Sequence, residues 1–453
     1  MQGSAHAHAT SLRRRRSSAT EPEYEVPDDY FNATEVAAVP AEQEQEDAEE
    51  EAHRQTSQAL ASQRSEQSVR REEPISSKLR EAPVSKWTTE LYTISYLIFF
   101  SILGTLARLG LQALTSYPGA PVTLTSVWPN FTGCLIIGFL AEDRKLFRFE
   151  WGTPKYDQHV QKSREDEEAG SSSSHIAQDL ATAKKAHLAT KKTIPLYIGL
   201  ATGFCGSLTS FSSFIRDIFL ALSNDLPESD GSTPIPRNGG YSFLALLAVT
   251  IATISLSFSG FYIGTQLAAG LEPVTPSLPY SWTRKVLDPL AVVLGWGSWI
   301  GAVILSIIPP DRFANAGAAE TWRGTAIFAI VFAPLGCLLR FYVSAKLNGR
   351  VPSFPLGTFA VNMLGTAVLG LAWDLAHVPE GGVIGCQVFQ GIEDGFCGCL
   401  TTVSTWITEL AVLPRRKSYT YGGVSVIGGL ALMIAIMGGL KWSQGYSGLQ
   451  CLH

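Results

Sequence analysis

From Trp87 onward, apolar stretches of about 16 to 25 residues recur with few charges inside them and charged, Gly/Pro-rich connections between. A hydrocarbon core about 30 Å thick needs around 20 such residues at helical rise. In lipid the backbone must satisfy its own hydrogen bonds, so such runs are expected to fold as helices. The expectation is an all-α polytopic membrane protein with nine spans, near 91–115, 126–141, 194–223, 241–270, 287–308, 322–345, 355–373, 383–412 and 420–440. The runs at 126–141 and 355–373 are short, which suits helices inside a bundle rather than facing lipid.

Residues 1–86 are a different polymer, with 17 acidic and 11 basic side chains and almost no long apolar run. Such a segment buries too little apolar surface to offset its ordering entropy, so it is expected to be a disordered, solvated tail. The block "RRRR" at Arg13 to Arg16 and the run "EQEQEDAEEE" are read as parts of that tail, not as a docking or membrane-surface patch. The tail opens without a charged-then-apolar presequence, so no cleavable signal is expected. The seven cysteines show no zinc-finger spacing and are expected to act as small core hydrophobes.

The first four spans and the last four are the same four. "GTLARLG" at 104–110 answers "GCLLRFY" at 336–342, with Arg108 and Arg340 in register 232 positions apart. "WPNFTGCLIIGFL" answers "FAVNMLGTAVLGL", placing Asn130 and Asn362 at the same offset. "GFCGSLTSFSSF" at 203–214 answers "GFCGCLTTVSTW" at 395–406 at an offset of 192, because the loop 142–193 is longer in the first half. The expected organisation is a tail (1–86), a first four-helix repeat (87–270), a linker (271–321) with one helix about 287–308, a second repeat (322–440) and a C-terminal tail (441–453).

With the N-terminal tail cytoplasmic, the internal connections hold 17 Lys/Arg and the external ones only Arg237 and Arg312. Positive residues accumulate on the cytoplasmic side. An even number of spans per repeat would leave both halves pointing the same way; the linker helix inverts the second. Inverted repeats place transport pathways at their mutual interface near the midplane. The C-terminus is then extracellular.

Gly followed by Ser and Thr in mid-helix costs about 1 kcal/mol per glycine relative to alanine. Close packing through small residues explains one such stretch; two copies, each followed by an acid (Asp217, Glu409), point to a broken helix whose freed carbonyls suit a cation and whose freed amides suit an anion. Asn130 and Asn362 lie mid-span, each able to solvate a small anion through its carboxamide N–H groups or to hydrogen-bond a neighbouring helix. Phe211 and Phe214 stand at i, i+3, with electropositive ring edges available to a narrow path. Arg108 and Arg340 lie near span ends, where snorkelling or an ion pair with Asp217 or Glu409 is expected. Tyr421, Ser425 and Gly429 form one face of the last span; the fourth has Thr250, Thr253 and Ser257 without a matching tyrosine.

Taken in order and duplicated around a lone linker helix, these motifs resemble the fluoride channels of the CrcB/Fluc type in their fused two-repeat eukaryotic form. The resemblance covers 91–440 and not the tail. It implies a passive fluoride-selective channel in the plasma membrane, working as a single-chain pseudo-dimer of repeats, with no enzymatic activity and no nucleic-acid partner. It implies a central structural sodium ion held by backbone carbonyls of Gly206, Thr209, Gly398 and Thr401. It places Asn130, Asn362, Phe211, Phe214, Tyr421 and Ser425 on the anion path, with Thr402 and Ser404 of the second break beside them. The phenylalanine pair becomes Val403 and Trp406 in the second repeat, a departure that implies unequal paths, the one with Asn362, Tyr421 and Ser425 being better equipped to conduct. Two other readings stand beside it: fluoride–proton exchange using Glu393 and Asp394, and a non-transporting membrane scaffold.

Overall fold

The structure is a computed structural model describing residues 30, 85–122, 124–147, 191–226, 237–308, 326–351, 353–378, 382–449 and 451. Its described residues are helical and contain no strand. In the first half α1 is Lys86–Thr115, α2 is Val127–Glu142 and α4 is Gly239–Gly270. Between them α3 runs Pro195–Ile198, Gly199–Cys205 and Gly206–Leu208, breaks, and resumes at Phe211–Ser223. After the single helix α5, Asp288–Ile307, the second half repeats the plan: α6 is Phe328–Leu347, α7 is Leu356–Ala376 and α9 is Arg415–Ser443. Here α8 runs Gly382–Gly391, Ile392–Cys397 and Gly398–Leu400, then resumes at Ser404–Val412.

Seven of these helices are long and apolar enough to cross a membrane, and α2, with 16 residues, is a shorter apolar helix. The most apolar 18-residue window of α3 is 89% buried, against 22% for α4 and 17% for α5. The broken helix is therefore the axis of the bundle, and α4 and α5 face outward. Not both short spans are internal: α7 carries an outward stripe of Leu364, Leu371 and Leu375, each about half exposed. Its 21 residues are enough to cross, so its length does not require enclosure.

The halves use their small residues alike. A Cβ on Gly104 of α1 would stand 2.6 Å from the Phe204 carbonyl oxygen of α3, and one on Gly336 of α6 would collide with that of Phe396 in α8. Gly133 of α2 and Gly365 of α7 lie against the methyls of Thr209 and Thr401. Small residues let backbones approach where lipid supplies no hydrophobic drive. α5 joins the halves from outside: Trp296 Nε1 donates to Ser95 Oγ of α1 (3.2 Å) and Trp299 Nε1 to the Val331 carbonyl of α6 (2.9 Å).

Two sequence expectations need correction. Cys386 and Cys451 form a disulfide, tying the C-terminal segment to the start of α8; the remaining five cysteines are buried. Both cysteines are buried, but as partners in a covalent bond and not as free thiols. The loop 142–193 and the tail 1–86 lie mostly outside the described residues, but Tyr30 is described and buried, which a wholly solvated tail does not predict.

Candidate functional site

Both central helices lose their pattern at the same place. Wide π-type turns at Gly199–Cys205 and Ile392–Cys397 precede the breaks; such turns concentrate at functional sites. Thr209 and Thr401 are extended, with φ, ψ of -91°, 149° and -95°, 152°. Asparagine holds each break open. The Ser210 amide donates to Asn130 Oδ1 and the Thr402 amide to Asn362 Oδ1, both at 2.9 Å. An unbroken helix would aim those amides at the carbonyls of Gly206 and Gly398. Those carbonyls are thereby left for another partner. The next amides are diverted too: Ser213 N goes to Ser210 Oγ (3.2 Å) and Thr405 N to Thr402 Oγ1 (3.4 Å), away from the carbonyls of Thr209 and Thr401. All four carbonyls assigned to a cation have lost their helical donor, so the donor set fits a small hard cation.

The halves then cap each other. Thr209 Oγ1 accepts from Val403 N (3.2 Å) and Ser404 N (3.1 Å), and Thr401 Oγ1 accepts from Ser212 N (3.1 Å). Both hydroxyls donate to the carbonyls four residues back, of Cys205 and Cys397. Thr209 also meets the hydroxyls of Thr402 (3.2 Å) and Ser404 (3.1 Å). These reciprocal bonds are those of a two-fold contact, in which i meets j and j meets i.

Arg108 and Arg340 follow the same exchange. Arg108 donates to the Ser207 carbonyl of its own half (2.8 Å) and to the Asp394 carbonyl of the other. Arg340 donates to Cys399 of its own half and Thr202 of the other, both at 2.8 Å. Each guanidinium lies on the glycine opposite, Arg340 on Gly206 and Arg108 on Gly398, where a Cβ would collide with it. Snorkelling is thus corrected: these arginines, 2% and 0% exposed, bind backbone carbonyls at the breaks. A guanidinium's fixed fork suits several carbonyls at once. Asp217 instead accepts from Ser126 Oγ (2.7 Å) and lies 3.3 Å from Arg216, while Glu409 accepts from Thr358 Oγ1 (2.6 Å) and Tyr421 OH (2.7 Å).

Two sets of buried polar side chains flank the breaks, one along α7 and α9 and one along α2 and α4. The Phe211–Ser223 half of α3 lies against α4 of its own half and α7 and α9 of the other, and the Ser404–Val412 half of α8 against α9 of its own half and α2 and α4 of the other. In the first set Tyr421, Ser425 and Gly429 are all buried on one face of α9, as the sequence predicts. Ser425 is turned to the Tyr421 carbonyl (2.7 Å), and Asn362 also donates to the Thr402 carbonyl (3.3 Å). In the second set Asn130 Nδ2, Thr253 Oγ1 and Trp406 Nε1 are buried with no hydrogen-bond partner among the described residues. Thr250, by contrast, is turned to its own helix. Phe211 and Phe214 are wholly buried with rings edge-on at 5.9 Å, and Phe211 meets Trp406 edge-on at 5.4 Å. The aromatic departure therefore sits where the two half-helices cross. Val403 is buried beside it.

Ser126 and Thr358 are site residues that sequence reasoning missed, although they stand 232 positions apart in the same register as the asparagines. Arg216 was missed as well: its guanidinium lies 5.3 Å from the Trp373 ring centre and beside Asp217. No repeat partner marked it, since Thr408 occupies the matching position. Glu393, weighed for proton exchange, is buried.

The profile of the family described as CrcB-like protein, Camphor Resistance (CrcB), matches residues 95–265 and 327–439. Fluoride export protein 1 of Neurospora crassa is 56% identical over 467 residues, covering 97% of this chain and 87% of that protein. Fluoride export protein 1 of Candida albicans is 34% identical over 354 residues, covering 76% of this chain and 79% of its own length. The fluoride-specific ion channel FluC of Pseudomonas paraeruginosa is 32% identical over 128 residues, which are 98% of it but 27% of this chain. No solved structure matches the chain.

Proposed function

This chain belongs to the CrcB family, and from that premise we propose that it is a passive, fluoride-selective channel exporting fluoride from the cytosol across the plasma membrane. The relatives named for fluoride export support the substrate, and the family is one of transporters, not enzymes. A FluC channel that spends its whole length on about a quarter of this chain supports a fused two-repeat reading with nine crossings. The cytoplasmic N-terminus rests on the lysine and arginine distribution. The Cys386–Cys451 disulfide supports an extracellular C-terminus, because disulfides persist on the oxidising side.

The observation that carries the mechanism is the crossed pair of breaks, where two buried asparagines and two threonines hold the backbone open at half-helix N-termini. Carboxamide and hydroxyl donors replace water around a small anion without a fixed counter-charge that would trap it. Hydrogen fluoride crosses bilayers as a neutral weak acid and ionises in a near-neutral cytosol. An inside-negative potential then drives the anion out at about 2.3 kcal/mol per 100 mV, so no coupled energy source is needed. The carbonyls of Gly206, Thr209, Gly398 and Thr401, left without helical donors, would hold a sodium ion, whose charge would offset theirs.

The conducting path is the one lined by Asn362, Tyr421 and Ser425, with Phe211 and Phe214 on the half-helix beside it. The second path is a competing reading, favoured by the unpartnered donors of Asn130, Thr253 and Trp406. Fluoride sensitivity of cells carrying Asn130→Asp or Asn362→Asp separates them. Loss of resistance with Asn362→Asp alone is expected; loss with Asn130→Asp alone moves conduction to the second path. Proton exchange through Glu393 and Asp394 would show as a proton flux stoichiometric with fluoride and indifferent to voltage.

A further inference from the structure

Tyr30 lies 56 positions before the start of α1, yet it is only 4% exposed. Its ring meets Phe341 edge-on, with centroids 5.0 Å apart and planes at 78°. It shares a cluster with Leu97 and Ile198 of the first half and Ala333, Cys337, Phe341 and Cys399 of the second. The ring therefore fills a pocket on the seam between the halves. At the rim Tyr342 OH donates to Glu90 of α1 (3.2 Å), a further bond across the same seam.

The repeat supplies an internal control. In the repeat register, Ala333, Cys337, Phe341 and Cys399 answer Ser101, Thr105, Leu109 and Ser207. The counterpart set has no aromatic ring and three hydroxyls. Thr105 lies 3.0 Å from Cys399 Sγ, and Ser101 donates to the Ile98 carbonyl (2.8 Å). An edge-to-face aromatic site has thus been built on one side of a pseudo-symmetric seam and not on the other. Buried aromatic anchors of this kind dominate docking energetics.

We propose that this seam pocket is a binding site for an aromatic side chain of the protein's own N-terminal tail, occupied by Tyr30, and that the docked tail clasps the two halves together. Its occupant is intramolecular; lipid or a second copy of the chain would be a different site.

The test uses the full chain in nanodiscs with Tyr30→p-benzoylphenylalanine, irradiated and mapped by mass spectrometry. The expected product is an intramolecular crosslink to peptides from 86–115 or 328–347, not reproduced when the photoreactive residue replaces Tyr24. Crosslinks to lipid alone, to a second chain, or equally from position 24 overturn the proposal. A second arm measures hydrogen exchange in Tyr30→Ala, a change in the tail that leaves every helix intact. Exchange of peptides spanning 333–341 is expected to rise about tenfold with loss of the ring pair; unchanged exchange there overturns the clasp.

Discussion

Replacing Thr209 with valine keeps the volume of the side chain and removes only its hydroxyl. In the structure that hydroxyl accepts from the amides of Val403 and Ser404, in the other half of the molecule. Thr209 is wholly buried, so no water replaces the lost acceptor. Leaving a buried amide unmet costs about 1–3 kcal/mol, so two cost roughly twice that. Thr401→Val strands a single cross-half amide, that of Ser212, and is expected to cost about half as much. The assay is hydrogen–deuterium exchange of the purified protein in nanodiscs. Since about 1.4 kcal/mol is a factor of ten in an equilibrium constant, Thr209→Val should speed exchange of peptides spanning 403–406 by roughly thirtyfold to ten-thousandfold. Thr401→Val should act on peptides spanning 211–214 and by a smaller factor. Faster exchange confined to the half that carries the substitution would refute the crossed capping.

Tyr421→Phe leaves Glu409 Oε2 without its phenol donor and should lower stability by about 1.5–3 kcal/mol, as for a hydrogen bond to a charged group. Ser425→Ala, which removes a bond within one helix, should cost less; thermal melts followed by fluorescence size exclusion rank the two. Cys386→Ser opens a link spanning 65 positions and should cost about 2–4 kcal/mol. Reductant should then lower the wild-type melting point and leave the variant's unchanged.

The helices and the repeat were legible because lipid reduces the sequence code to apolar length, and because duplication places Arg108 with Arg340 and Asn130 with Asn362 without any structure. What those residues do was only half legible. Asn130 and Asn362 offer either N–H donors to an anion or a hydrogen bond to a neighbouring helix, and the structure shows the second, made through the Oδ1 atoms that intercept the break amides. Register shows that two positions are equivalent, not which atom faces a neighbour. The arginines were assigned to carboxylates because charge suggests charge. A folded helix break exposes carbonyls that no composition announces, and a buried guanidinium can satisfy several of them. Tyr30 was hidden by its surroundings: one aromatic anchor does not alter the polar average of a long tail.

The central claim is passive, selective fluoride conduction, tested most directly with the full-length protein in liposomes loaded with fluoride or chloride, with valinomycin setting the potential. Fluoride should leave down its electrochemical gradient, faster as the potential is made more inside-negative, while chloride stays behind. Absence of fluoride efflux, or chloride leaving at an equal rate, would contradict the account.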